Sequence, residues 1–100
     1  MNKTIADILD QLKDSSHPVA KSIHHQEHTN VLAIAFKKGM QLKDHKTART
    51  STLFVLRGSV LYIQEDVETS LHEFEDLQIP VNIIHAVTAL EDSLCLLIQG

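Results

Sequence analysis

The stretch from Gly39 to Gly58 reads GMQLKDHKTARTSTLFVLRG, and it is answered further along by Pro80 to His85, PVNIIH. Each segment sets a single histidine, His45 or His85, among residues that favour extended backbone. His45, Thr47, Arg49 and Ser51 fall at even spacing, so an unbroken strand would carry all four on one face. Ile83, His85 and Val87 alternate in the same way and would line another wall. Gly39 and Gly58 allow tight turns at the two ends of the first segment. Pro80 cannot donate to a ladder and belongs at a strand start or an edge. Asn82 tolerates left-handed backbone better than most residues.

Outward from this stretch the period of two persists. Val19–His25 and Val31–Lys37 read as strands joined by the polar run Gln26–Asn30, and Val31–Phe36 is apolar on both faces, as a covered central strand would be. Met40–His45, Thr52–Leu56, Ser59–Gln64, Val67–Leu71, Phe74–Ile79, Ile83–Thr88 and Ser93–Gln99 complete a set of eight or nine short strands. Turns this frequent indicate a sandwich or barrel. Only residues 4–14 carry a helical period, with Ile5, Ile8, Leu9 and Leu12 on one face and Thr4 with Asp7 as a capping box. Pro18 ends that segment by turning His17 away from helical geometry. The expectation is one domain over 1–100, with a helix near 4–14 and a barrel over about 19–99.

Composition bounds the function. The chain has 100 residues, 43% hydrophobic and 22% charged, in the range of soluble globular domains. A net charge of −4 with nine scattered basic residues argues against a nucleic-acid partner, which needs clustered Lys and Arg. No apolar run is long enough for a signal peptide or a membrane span, so a cytoplasmic protein without a membrane partner is expected. Cys95 is the sole cysteine, in an apolar run, and reads as a small core residue.

The two segments together resemble the paired motifs of the cupin superfamily, small double-stranded β-helix barrels. The first motif is a glycine, five residues, His-x-His, three or four residues, Glu, six residues and Gly. Gly39, His45 and Gly58 match it in spacing, while Thr47 stands at the second histidine and Ser51 at the glutamate. In the second motif Pro80 and His85 match, Phe74 replaces the first glycine, Asn82 the second and Ala89 the final asparagine. The resemblance covers about residues 30–100. It implies an all-β fold, a cupin-like antiparallel barrel (double-stranded β-helix or jelly roll) with one short N-terminal α-helix. It also implies that His45 and His85 meet inside the barrel, and that small relatives pair through N-terminal strands. The helix stripe and the candidate edge strand Val19–His25 support the same homodimer.

The resemblance places a polar pocket in the barrel, lined by His45, Thr47, Arg49, Ser51, Tyr62 and His85. The plain alternatives are core histidines, ordinary strand hydroxyls and a surface arginine. Metal-dependent cupins hold their ion with three histidines and a glutamate, and here one histidine and the carboxylate are lost. Two neutral imidazoles do not balance a dication, and open sites normally have at least three protein ligands. No cofactor is therefore expected, and any divalent metal is expected to be weak. The competing reading is an isomerase or oxygenase that recruits metal through His45, His85 and a third histidine, His24 or His25. Those two are adjacent on a strand and face opposite sides. A third reading is a scaffold whose barrel is filled by its own side chains. Catalytic residues are not identified: no feature demands catalysis, and binding of an unknown small molecule is the expectation.

Overall fold

The computed structural model describes residues 1–100. One helix, α1 (Lys3–Leu12), precedes nine strands: β1 (Val19–Gln26), β2 (Thr29–Phe36), β3 (Gln41–His45), β4 (Ser51–Arg57), β5 (Ser59–Gln64), β6 (Val67–His72), β7 (Asp76–Ile79), β8 (His85–Ala89) and β9 (Ser93–Gln99). They form two sheets, ordered β1-β2-β9-β4-β7 and β3-β8-β5-β6, with every pair antiparallel. The all-β expectation with a single short helix holds.

Alternation assigns the two faces. On β2, Ile34 and Phe36 join the core between the sheets, while Ala33 and Ala35 face the helix. Val55, Val60, Tyr62, Leu71, Val87 and Cys95 meet Ile34 and Phe36 in that central core. Burial of each such large side chain is worth about 1.5–3 kcal/mol. Cys95 is fully buried, and desolvation pushes its thiol up to about 12, so it stays protonated and inert.

A ten-residue helix is marginal in water by itself. α1 persists because Ile8 and Leu12 are buried against Ala33, Ala35 and Leu94 on the outer face of the larger sheet. The small alanines let the helix approach closely. The Lys37 ammonium, at the exit of β2, donates to the carbonyls of Lys13 (2.9 Å) and Ser15 (3.3 Å) and so satisfies groups left open at the helix end. The apolar stripe is as expected, but the helix occupies Lys3–Leu12 rather than 4–14. Its cap is Asn2, whose side-chain oxygen accepts from Ile5 N at 3.0 Å, not the Thr4–Asp7 pair.

Turn chemistry follows the sequence in most places. Gly39 and Gly58 have φ of +87° and +88°, and Asn82 sits at +59°. Phe74, which stands where the cupin motif has a glycine, itself adopts φ +68°. The turn keeps the glycine conformation with an aromatic residue in it.

The gap expected between the strands Met40–His45 and Thr52–Leu56 is present, so the unbroken strand that would put His45, Thr47, Arg49 and Ser51 on one face is not formed. β3 ends at His45, residues 46–50 are irregular, and β4 resumes at Ser51. His45, Thr47, Arg49 and Ser51 therefore do not share one continuous strand face. The break has identifiable anchors: Thr47 O accepts from Asn82 N at 2.7 Å, and Thr47 Oγ1 accepts from Arg49 N at 3.1 Å.

Candidate functional site at the mouth of the barrel

β3 and β8 are hydrogen-bonded neighbours, and after a bulge in β3 the register sets His45 directly opposite His85. The two rings lie 4.2 Å apart, centroid to centroid, and are tilted by 60°. Tyr62, on the next strand β5, stacks on the other side of His85 at 5.7 Å. His45 is exposed, whereas His85 is 3% and Tyr62 2% exposed. The three rings thus run as a column from the rim into the core.

The backbone fixes the protons on both imidazoles. His45 Nδ1 lies 2.8 Å from the Lys43 carbonyl, and His85 Nδ1 lies 3.1 Å from the Ile83 carbonyl. A carbonyl oxygen only accepts, so each bond requires the proton on Nδ1. Each neutral ring then presents Nε2 as a bare lone pair, and neither Nε2 has a partner in the protein. No buried side-chain nitrogen or oxygen lacks a hydrogen bond, so His85 Nε2 keeps some contact with solvent despite the burial of its ring. Burial pushes the His85 pKa down from the ordinary histidine value; the Ile83 carbonyl opposes this, and the neighbouring His45 adds to the lowering. Desolvation also raises the Tyr62 hydroxyl.

The remaining sequence-predicted residues are placed unevenly. Ser51 is buried, donates to the Arg49 carbonyl at 3.2 Å and receives Gln99 Nε2 at 3.4 Å. Thr47 is half-buried in the irregular segment. Arg49 is exposed, and its guanidinium donates to the His28 carbonyl at 2.8 Å, which ties the irregular segment to the β1–β2 turn. His24 and His25 lie on β1, at the edge of the other sheet, where His25 Nδ1 is 3.4 Å from Asn30 Oδ1.

Two residues escape the motif-based reading. Gln64 is paired with His85 across β5 and β8 and accepts from the Tyr62 hydroxyl at 2.9 Å. Gln99 is paired with Ser51 across β9 and β4. Both share strand parity with inward residues, Gln64 with Tyr62 and Gln99 with Cys95 and Leu97. That parity was the available signal.

The donor set does not fit a resident dication. Two imidazoles are present, the positions of the third imidazole and the carboxylate hold Thr47 and Ser51, and no three His, Cys, Asp or Glu side chains come together. A cleft of about 380 Å³ borders His85 and is lined also by Asp44, Ile63, Glu65 and Ile84.

No family model and no curated protein matches the chain. Solved structures do. An RmlC-like cupin from Desulfovibrio desulfuricans superposes with a TM-score of 0.79 at 22% identity, over 87% of this chain and 85% of that one. A cupin superfamily protein from Desulfitobacterium hafniense gives 0.79 at 15% identity, over 85% and 78%. A cupin-2 domain protein from Shewanella frigidimarina gives 0.76 at 17% identity, over 94% and 89%. No helix here is long and apolar enough to cross a membrane. With the motif spacing, the paired antiparallel sheets and these superpositions in agreement, the chain has the fold of a small cupin.

Proposed function

We propose that the protein binds a small molecule at the barrel mouth, at the His45–His85 pair, without a dedicated catalytic metal. The observation that carries this reading is the pair itself: two imidazoles from neighbouring strands, each locked by a backbone carbonyl so that its Nε2 is left free. Ser51, Tyr62, Gln64 and Thr47 are the polar groups assigned to the surroundings of the pair, and Arg49 supports the loop between β3 and β4. The cleft of about 380 Å³ that borders His85 is lined otherwise by Asp44, Ile63, Glu65 and Ile84, which alternate to the face opposite Tyr62 and Gln64, so the proposed site is the imidazole pair itself and not that cleft. The central core is filled by its own side chains, so the binding region is the rim and not the whole barrel. A cytoplasmic setting and self-association belong to the same proposal.

Ligand-observed NMR of the tag-free protein against a metabolite library tests it. A binder whose signal is lost with His45→Ala, while that variant keeps the wild-type unfolding midpoint, supports the site. Binders unaffected by His45→Ala and by His85→Gln contradict it.

A further inference from the structure

We infer that the ligand of this site is a neutral, hydroxyl-bearing molecule of the polyol class, held by O–H groups donated to the Nε2 atoms of His45 and His85. The inference rests on the binding reading above and adds the chemistry of the ligand. With both Nδ1 protons committed to Lys43 O and Ile83 O, the neutral pair offers the ligand acceptors only. Tyr62 does not add a free donor, because its hydroxyl already points to Gln64.

Charge decides among ligands that bring donors. A carboxylate or phosphate would meet two lone pairs with no proton between, which is repulsive. An ammonium would bring donors, but neither imidazole is in contact with a carboxylate: the salt bridges of the chain, Lys3–Asp7 and Lys13–Asp10, are both on or beside α1. Asp44 and Glu65 border the cleft next to His85, but no carboxylate oxygen lies within ion-pair distance of either imidazole. A buried cation without a paired anion is costly, whereas a hydroxyl donating to a buried acceptor satisfies both groups. The partly buried Nε2 of His85 is a polar group for which the fold supplies no partner.

Long-range proton–nitrogen correlation spectra of the imidazoles, recorded near pH 8, test this with four probes: glycerol, D-ribose, acetate and ethylammonium. The expected result is a saturable shift of both Nε2 resonances toward the protonated-nitrogen value with glycerol or D-ribose, none with acetate or ethylammonium, and loss of saturation in His45→Ala. Saturable shifts with acetate or ethylammonium but not with the polyols overturn the ligand class and leave the site standing. No saturable shift with any probe overturns the ligand class and the site together. Spectra that place the neutral-state proton on Nε2 of either ring overturn the premise.

Discussion

His45 covers His85: one imidazole is exposed at the rim, the other is buried beneath it, and their centroids are 4.2 Å apart although forty residues separate them in the chain. The contact is a product of the β3–β8 ladder. It makes the barrel mouth sensitive to protons, because both rings cannot easily be charged at that separation.

Acidification should therefore destabilise the fold before the carboxylates titrate. The folded-state pKa of His85 lies below its unfolded value, so the unfolded chain binds more protons as pH falls. Its contribution to stability is complete above the unfolded value of about 6.5 and is lost as pH drops from there through the folded value. Chemical denaturation at pH 7.5 and 5.5 should give a lower midpoint at the acidic pH, with the difference reduced in His85→Gln. An unchanged difference in that variant contradicts this origin.

Phe74 holds a φ of +68° with its ring 70% exposed. Left-handed backbone costs an ordinary residue about 1–2 kcal/mol, and glycine forgoes that cost while losing about 0.5–1 kcal/mol in chain entropy. Phe74→Gly should raise unfolding free energy by about 0.5 kcal/mol or more in urea titration. A clear loss of stability would mean that the ring makes contacts the fold depends on.

Gly58 is the opposite case. Its φ is +88°, and an added Cβ would press on the Asp92 carbonyl and Ser93 Oγ. That hydroxyl also receives Ser59 N at 3.1 Å, so it is not free to move aside. Gly58→Ala should lower stability by about 2 kcal/mol or more, from strain and the displaced serine together. A midpoint within error of wild type would show that the turn has room to relax.

Self-association is expected through β1, which is the edge of the five-stranded sheet. The helix stripe no longer argues for it, since Ile8 and Leu12 are already spent on the sheet. What remains is one side of an eight-residue ladder left unpaired, tempered by Lys21 and by the bulge between Ser22 and His24. Light scattering at tens of micromolar should return twice the chain mass. A monomer at that concentration removes the dimer from the account.

The fold was largely legible because alternation and turn residues agree over most of the chain. Val31–Phe36 reads as a covered strand and lies between β1 and β9; Gly39, Gly58 and Asn82 all take the positive φ that their types allow. The His45–His85 meeting came from motif spacing, since no local pattern can reveal a contact made by register. The gap at 46–50 was legible in the strand bounds Met40–His45 and Thr52–Leu56, but what holds it was not: the bonds that anchor the loop come from Asn82 and His28, far away in sequence. The helix cap was misread because Thr4 and Asn2 are both good caps, and the start of the chain left room for either.

The central claim, a small-molecule site that does without a dedicated metal, is tested most directly by elemental analysis. Tag-free wild-type protein, purified without chelator, would be compared with His45→Ala and His85→Gln for bound zinc, iron, manganese, nickel and copper. The account predicts well below one equivalent of any metal in all three, since two imidazoles without a carboxylate form a poor site for a dication. One equivalent of metal per chain in the wild type, lost in both variants, would contradict it and make the metal the functional group of the pair.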